Sequence, residues 1–299
     1  MTTFARMTDI ARRPCPGCLA TEARLVGPKN GFDIYVCNDC RSLFTATLPT
    51  EDESEDYDAY YSESNLSVPD FITKRLKEII GGFESYKANG RLLDIGFGAG
   101  SIMDVAEKLG WTVFGQEVSA TAVENARQKG FDVFLGDLTN AQYPEAHFDV
   151  VTCSEIVEHV PDPQAMLDEI ARILRPGGLL WATTPSARSM SFRLMKQRWT
   201  VISPPEHTQL YSARGVRKML QKARFRQIKI QTLGLNPTEL INFYRTPPSE
   251  DKGFDRVATA YGLNEQLTGS LKGRIAKAGA NIVLNGLGLG DSLKIFAVK

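Results

Sequence analysis

The chain has 299 residues, enough for one large core and a smaller module. Its 35 Lys and Arg balance 35 Asp and Glu, which argues against a tail-driven attraction to phosphate backbones. Five cysteines are too few for a disulfide scaffold, and neither a signal peptide nor a membrane span is predicted, so we expect a cytoplasmic protein.

Two C-x-x-C pairs dominate the first fifty residues. The two pairs are separated by eighteen residues. In a zinc ribbon, two C-x-x-C turns (knuckles) at this separation together hold one tetrahedral zinc ion. Because four protein thiols leave no open position on the ion, we predict structural Zn²⁺ rather than catalytic zinc. The alternative is four free thiols or a redox pair. The predicted ribbon module covers residues 1–50, and its metal ligands are Cys15, Cys18, Cys37 and Cys40.

An acidic segment follows the cysteine pairs, with six acids and no base between Glu51 and Asp58. We interpret residues 51–69 as a linker or a lid. A helix is predicted over 70–83, where apolar residues recur at helical spacing and a Gly-Gly pair marks the end.

From residue 91 onward, short apolar runs alternate with helical segments, which predicts βαβ units and a parallel sheet. We expect an α/β fold with a doubly wound, seven-stranded, mostly parallel sheet whose last strand need not be parallel. A helix over 163–174 is predicted to stop at the sequence R-P-G-G, and the strand LLWATT follows. After residue 185 we predict an insertion at about 186–212, a helix near 212–223 and a strand near 226–233. The terminal strand is DSLKIFAV.

The sequence LLDIGFGAGS places Asp94 at the end of the first strand of this sheet, before a glycine-rich turn. The turn reads G-x-G-x-G, because Ser101 stands where a dinucleotide fingerprint needs its third glycine. A carboxylate beside the ligand suits a cationic amino-acid cofactor better than a pyrophosphate. With this turn the sequence resembles the class I S-adenosylmethionine (SAM) methyltransferases. The turn glycines are Gly96, Gly98 and Gly100.

The resemblance implies a Rossmann-like methyltransferase fold and a role for each strand end. Glu117 matches the acid that accepts the ribose hydroxyls, and Asp137, with Leu138 beside it, matches the acid that meets the adenine amino group. Ser154 and Glu155 match the strand end beside the methionine part and the methyl group.

The resemblance is clearest between about 70 and 185, and residues 155–180 are similar to quinone-type and polysaccharide-cluster methyltransferases. The methyltransferase domain is accordingly predicted over 70–299. Tyr57, Tyr60 and Tyr61 resemble a segment that precedes the first helix in zinc-bearing relatives, which leaves a lid and a solvated linker open.

Methyl transfer to a hydroxyl needs a base, and the chain has three histidines. His159 and His207 are the candidate catalytic residues, whereas His147 is interpreted as a surface residue without a role. His159 either takes the acceptor proton or shapes the pocket. Trp199 and Tyr211, near His207, either wall a substrate ring or are core aromatics.

We expect a small-molecule acceptor: a hydroxyl or carbon of a sugar, glycan intermediate or natural-product scaffold. Residues 186–230 contain eleven Lys or Arg and one acid, which favours an anionic acceptor. A zinc-ribbon rRNA methyltransferase is an alternative, although zero net charge and the acidic run disfavour nucleic acid. A non-catalytic SAM-binding protein is another. The sequence leaves the oligomeric state undetermined.

Overall fold

The computed structural model describes residues 9–10, 13–50, 70–245 and 271–299. The acidic segment and its three tyrosines lie outside these residues. The chain divides into two compact units, which are described in turn. The nucleotide-fold unit contains residues 54–184, 219–229 and 295–299, and the cysteine unit contains residues 1–53, 185–218 and 230–294.

A seven-stranded sheet forms the main architecture, in the order β11-β12-β9-β8-β5-β6-β7. The pairs β5/β6, β6/β7, β5/β8 and β8/β9 are parallel. The predicted doubly wound α/β sheet of seven strands is therefore confirmed. Its strands are β5 (Arg91–Ile95), β6 (Thr112–Glu117), β7 (Asp132–Leu135), β8 (Phe148–Ser154), β9 (Leu174–Pro185), β11 (Arg226–Leu233) and β12 (Ser292–Val298).

Helices alternate with these strands in chain order, as the apolar spacing predicts. Two are capped by side chains: Ser119 Oγ accepts from Ala122 N at 3.3 Å, and Asp162 Oδ1 accepts from Ala165 N at 3.0 Å. The helices are α1 (Asp70–Gly81), α2 (Ser101–Lys108), α3 (Ala120–Gln128), α4 (Pro163–Ile173), α5 (Met190–Met195), α6 (Ala213–Lys222), α7 (Pro237–Arg245) and α8 (Leu271–Leu287).

The core of the nucleotide-fold unit packs helices against the sheet. Its buried cluster includes Leu92 and Val150 from the central strands, Met103 from α2, and Trp111 and Trp181. The central strands are buried along their length, which is expected of parallel strands covered on both faces. None of the described helices combines the length and the apolar run that crossing a bilayer requires.

The R-P-G-G segment, predicted as the stop of the helix before it, is itself part of a strand. It belongs to β9, which begins at Leu174 directly after α4. Gly177 N donates to Lys299 O, and Lys299 N donates to Gly178 O, both at 3.1 Å. At the other end of β9, Ser186 N donates to Asp291 O. These bonds hold the segment in the sheet and show that β12 runs antiparallel to β9, an interaction with residues more than a hundred positions later.

A five-stranded sheet, ordered β1-β2-β3-β4-β10, forms the cysteine unit. The strands β2 and β3 are an antiparallel hairpin with a bulge between Leu25 and Gly27. The last strand comes from the predicted insertion, so that segment and the cysteine-bearing strands lie in one unit. The predicted boundaries at residues 50 and 70 stay predictions. The strands are β1 (Asp9–Ile10), β2 (Glu22–Lys29), β3 (Phe32–Cys37), β4 (Leu43–Thr45) and β10 (Gln209–Leu210).

Candidate functional site

The glycine turn after β5 depends on left-handed backbone. Gly96, Gly98 and Gly100 have φ of +63°, +51° and +76°, angles that residues with a Cβ rarely adopt. A Cβ at Gly96 would lie 2.1 Å from Ile156 Cδ1. The turn therefore requires glycine for conformation and, at Gly96, for space.

Asp94 is buried at the strand end that leads into this turn, with 2% of its surface exposed. Thr152 Oγ1 donates to Asp94 Oδ1 at 2.7 Å from the neighbouring strand β8. Burial raises the pKa of the Asp94 carboxyl to about 7; the Glu117 charge adds to the rise and the Thr152 hydrogen bond opposes it. A cation placed beside this carboxyl would offset the burial of its negative charge.

Glu117 ends β6 and is held by backbone amides on both carboxylate oxygens. Its Oε1 accepts from Val118 N at 2.6 Å and Ser119 N at 3.1 Å, and its Oε2 accepts from Gly98 N at 3.0 Å. The side chain is buried, and its orientation is fixed by the turn and the start of α3. A carboxylate with two or three amide donors retains lone pairs that can accept further hydrogen bonds.

The ends of β7 and β8 complete this edge. Asp137 is exposed, and Leu138 behind it is buried. Ser154 Oγ and Thr183 Oγ1 lie 2.9 Å apart. Glu155 is exposed with a left-handed φ of +56°, and its N donates to Thr183 O at 2.9 Å. We call the residues at these four adjacent strand ends the carboxylate edge: Asp94, Glu117, Asp137, Ser154 and Glu155.

Glu158 and His159 follow Glu155 in the chain. Glu158 is 1% exposed; its Oε2 accepts from Thr184 Oγ1 at 2.9 Å, and its Oε1 has no hydrogen-bond partner. Burial and the nearby Glu155 carboxylate raise the pKa of Glu158 well above its usual range. A Glu158 carboxyl oxygen lies within 4.8 Å of a ring nitrogen of half-buried His159. The carboxyl is positioned to hold a proton beside the imidazole.

Two supporting residues are absent from the sequence prediction. Thr152 and Thr184 are the hydroxyl donors to Asp94 and Glu158. Thr152 is found only through strand register, because its Cα is the β8 partner of Asp94. His147 differs from its prediction too: it is half-buried, and its ring packs edge-on against Phe114 and Phe148.

His207 belongs to the cysteine unit. Its Nδ1 lies 2.7 Å from the carbonyl oxygen of Val201, a distance at which the ring nitrogen donates. That bond selects the tautomer in which Nε2 carries the lone pair, as a general base requires. The nearby Trp199 and Tyr211 are both 0% exposed. Their burial favours the second of the two alternatives, core aromatics, over a substrate wall.

Several cations of the basic segment already have partners within the cysteine unit. Arg214 Nη2 lies 2.5 Å from Asp39 Oδ1, and Lys218 forms a salt bridge with the other oxygen of Asp39. The Arg198 guanidinium lies over the Phe243 ring at 4.4 Å. These contacts account for part of the positive charge, and a role in binding an anionic acceptor stays a prediction.

The four cysteines come together as a cluster, with all four Sγ atoms within 4.8 Å of one another. The residue after each pair, Leu19 and Arg41, has a left-handed φ of 62° and 69°. In each knuckle an amide donates back to the first cysteine: Leu19 N to Cys15 O at 2.7 Å and Arg41 N to Cys37 O at 3.2 Å. Two turns of one geometry therefore present four thiols to one point, which we call the cysteine cluster.

The chemistry of this cluster fits zinc. The hydrogen bond that Cys15 makes to Cys40 raises the pKa of Cys15. Burial raises the pKa of Cys18 to about 12. The hydrogen bond from Cys15 lowers the pKa of Cys40 to about 5. A cation bound between the thiols would favour their ionised, metal-binding form. The backbone of Gly215 also lies close to the second cysteine knuckle, since a Cβ there would be 2.5 Å from Ser42 Oγ.

Comparisons with known proteins were made by sequence and by structure. A family described as "Methyltransferase domain" matches residues 67–230. A ubiquinone biosynthesis O-methyltransferase of Thiobacillus denitrificans is 35% identical over 114 residues, covering 36% of this chain and 49% of that protein. The Klebsiella pneumoniae enzyme of the same name is 27% identical over 186 residues, covering 57% and 75%. The chain thus spans about half the length of the first of these relatives.

A solved structure, a SAM-dependent methyltransferase from Archaeoglobus fulgidus, superposes with a TM-score of 0.54. Sequence identity is 18%, and the match covers 82% of this chain and all of that one. At this identity the likeness shows a shared fold.

Proposed function

The chain belongs to the methyltransferase-domain family, and from that premise we propose that it is a cytoplasmic enzyme that transfers a methyl group from SAM to a small-molecule acceptor. The acceptor atom is a hydroxyl oxygen, with carbon as the close variant. The acceptor class we propose is a sugar, glycan intermediate or other natural-product scaffold. The ubiquinone enzymes support the oxygen acceptor through their name.

One observation carries the proposal: the carboxylate edge combines a buried acid, an amide-held acid and a glycine turn at adjacent strand ends. Asp94 would face the cationic amino-acid part of the cofactor, and Glu117 would accept the ribose hydroxyls. Asp137 and Leu138 would meet the adenine, and Ser154 and Glu155 would line the methionine side. The turn glycines allow the cofactor to approach the backbone.

When bound, SAM supplies a methyl group on a positively charged sulfur. The protein's own task is then to align the acceptor and to remove its proton. We propose His159 or His207 for the proton transfer. The Val201 carbonyl supports His207 by orienting its ring, and the Glu158 carboxyl supports His159 by lying beside it.

Zinc has a structural role in this proposal. Cys15, Cys18, Cys37 and Cys40 would hold one ion, whose positive charge allows the four thiols to ionise together. Their side chains would occupy every coordination position, and the acceptor proton would therefore be taken by a side chain. The ion would stabilise the five-stranded sheet, whose edge strand β10 lies close in sequence to the His207 loop.

The first experiment is calorimetry with S-adenosylhomocysteine on the wild-type protein, Asp94→Ala and Glu117→Ala. We expect binding by the wild type and a loss of about 1 to 3 kcal/mol in Glu117→Ala, since a charged hydrogen-bond acceptor is removed. Tight binding of NAD by the wild type, with no heat of binding from S-adenosylhomocysteine, would reject the proposal.

The second experiment finds the acceptor. The protein is incubated with SAM labelled in the methyl group, together with either a small-molecule extract or total RNA. Label in the small-molecule fraction supports the proposal, and fractionation on an anion exchanger then tests for an anionic acceptor. Label in RNA supports the rRNA alternative. Cofactor binding without label in either fraction supports a non-catalytic SAM-binding protein.

A further inference from the structure

The loop that carries His207, residues 199–208, is built against the five-stranded sheet. Val201 lies near the start of this loop and is 1% exposed. Its side chain packs in one buried cluster with Ile34 of β3 and Leu43 of β4. The same residue supplies the carbonyl oxygen that accepts from His207 Nδ1. The carbonyl that selects the ring tautomer therefore belongs to a residue packed on the cysteine-bearing strands.

The turn between β2 and β3 contacts the same loop. Asn30 Nδ2 donates to Pro204 O at 2.9 Å, and Lys29 Nζ donates to Trp199 O at 3.1 Å. The turn consists of Asn30 and Gly31, whose φ angles are +50° and +82°. Left-handed angles at both positions are typical of a two-residue Asn-Gly hairpin turn. The turn therefore fixes the backbone of Asn30, and the Asn30 amide in turn holds the loop.

The other end of the loop is held by Arg13, which stands two residues before Cys15. Arg13 Nε donates to Thr45 O at 2.8 Å, and its Nη2 donates to Thr208 O at 3.0 Å. Thr45 N donates to the same Thr208 oxygen at 2.9 Å. The residue directly after His207 is thus held both by the end of β4 and by a guanidinium beside the first cysteine knuckle.

We propose that the five-stranded sheet positions the His207 ring, with Asn30 and Arg13 as the positioning residues. They hold the loop on both sides of the histidine, so that the Val201 carbonyl keeps the proton on Nδ1 and leaves the lone pair on Nε2. Because β3 ends at Cys37, metal binding by the cysteine cluster should support the same tautomer. The inference rests on the proposed function only for the use of that lone pair in proton transfer.

A positioning role and a purely structural role predict different results. If the contacts only add stability, removing them lowers the melting temperature and leaves the ring unchanged in the folded protein. If they position the ring, the tautomer ratio changes in the folded protein. The chain has only three histidines, so NMR of the ring nitrogens in ¹⁵N-histidine-labelled protein can follow each one. The signals are assigned with His147→Gln, His159→Gln and His207→Gln.

The experiment measures these tautomers in the full-length, zinc-loaded chain at about pH 9, where imidazoles are neutral. We expect the proton of the His207 ring on Nδ1. Asn30→Asp tolerates the left-handed turn but replaces the amide donor by an acceptor. Arg13→Lys loses the planar fork that joins two carbonyls. Each variant should lower the ratio of the Nδ1–H to the Nε2–H tautomer at His207 about 3-fold or more, a factor within the range of one hydrogen bond.

Matched controls change the same strands without removing these contacts. Gly31→Ala strains the turn at φ +82° and keeps the Asn30 amide, and Arg24→Lys replaces an exposed arginine of β2. Both should leave the tautomer ratio at His207 as in the wild type. In chain stripped of zinc by a chelator under reducing conditions, the ratio at His207 should fall as well. The signals of His147, which belongs to the nucleotide-fold unit, should stay unchanged.

Four results overturn the proposal: a wild-type His207 ring with its proton on Nε2, a ratio unchanged in Asn30→Asp and Arg13→Lys, an equal change in the two controls, or a ratio that zinc removal leaves unchanged. Melting temperatures check that each variant is folded. Calorimetry with S-adenosylhomocysteine on the same samples tests the proposed function separately. If the wild type fails to bind that compound, the proposed function is rejected, whereas the tautomer ratios still decide whether the sheet positions His207.

Discussion

The carboxylate edge and the cysteine cluster are both built from tight left-handed turns, yet they differ in what they need from a ligand. Glu117 is satisfied by three backbone amides from its own fold, so its geometry is set before any ligand arrives. The cysteine thiols contact mainly one another, with Cys15 and Cys40 Sγ at 3.5 Å and Cys18 and Cys37 Sγ at 3.5 Å. The carboxylate edge therefore has its geometry without a ligand. The cysteine cluster needs a bound ion to hold its geometry.

The difference follows from the amount of core behind each site. The edge lies on a sheet with a large buried cluster that includes two tryptophans. The buried side chains that pack directly with the cysteines are only Ala23 and Phe44, so the cysteine turns themselves have little support without a cross-link. Losing the ligand should therefore cost the first site only activity, whereas it should cost the second site its structure.

The largest expected effect tests the second half of this comparison. Purified protein should contain about one zinc per chain, and Cys37→Ser should lose the metal and several kcal/mol of stability. Elemental analysis and thermal melting are the measurements. Cys153→Ala is the matched control, since Cys153 is a buried thiol in β8 outside the cluster and should leave the zinc content unchanged. Iron in place of zinc, or an unchanged melting temperature in Cys37→Ser, would contradict the assignment.

The next effect asks which region supplies the base, because His159 belongs to the nucleotide-fold unit and His207 to the cysteine unit. If one of these histidines is the general base, its substitution by alanine should lower turnover about 10² to 10⁴-fold and leave the binding of S-adenosylhomocysteine unchanged. The wild-type rate should rise through about pH 6 to 7 as the imidazole loses its proton. Near-wild-type turnover in both variants would exclude both histidines and direct attention to Glu155 and Glu158.

For His207 a second substitution separates chemistry from positioning. His207→Asn retains a donor for the Val201 carbonyl and removes the Nε2 lone pair. A base should be lost in both the Asn and the Ala variants. If His207→Asn restores turnover, His207 is a positioning residue.

A smaller effect tests whether the glycine turn is prepared in advance. Gly96→Ala should weaken cofactor binding more than about 10-fold, because left-handed strain costs about 1 to 2 kcal/mol and the methyl group also collides with Ile156. Gly130→Ala is the control: its φ is +88°, but no atom lies within 4 Å of the new Cβ. It should lose stability by the strain alone and bind as the wild type does. Equal binding by both variants would show that the turn can adjust.

The last effect concerns the protonation of Asp94 and is spread over several pH units. Because burial raises the pKa of this carboxyl to about 7, the ligand-free protein holds the proton below that pH. The folded state then binds more protons than the unfolded chain, so this group lowers stability as pH rises from about 4 to 7. Binding of a cationic amino group needs the ionised form, and affinity should increase up to about tenfold per unit until pH 7. Calorimetry across pH 5.5 to 8.5, a range spanning about the pKa, should find no such rise in Asp94→Asn.

Much of the edge is predictable because parallel strands end on one side of a sheet. Once the alternation of strands and helices is recognised, chain order alone brings Asp94, Glu117 and Asp137 to neighbouring strand ends. The zinc prediction is local for a different reason, since each knuckle is completed within four residues. In both cases short-range sequence carries the information.

The remaining features depend on contacts between distant residues. The hydrogen bond from Thr152 to Asp94 requires the register of β5 against β8, and the burial of Glu158 requires Thr184 to lie beside it. The R-P-G-G segment is recognisable in the sequence only as a helix stop, and its place in a strand depends on pairing with Lys299. The sequence leaves Trp199 and Tyr211 open as wall or core, and the burial that favours core depends on three-dimensional packing.

The position of β10 in the chain also determines when, during translation, the edge of β4 can be paired. The open side of β4 is closed by residues near 209, and Thr45 and Thr208, which form a hydrogen bond, are 163 positions apart. A ribosome adding about 5 to 20 residues per second needs on the order of ten seconds to cover that interval. Throughout that time the nascent hairpin presents an unpaired edge, the kind of surface that recruits other strands. Early metal capture would fix the cysteine turns during that interval, whereas the β4 edge itself is covered only when β10 arrives.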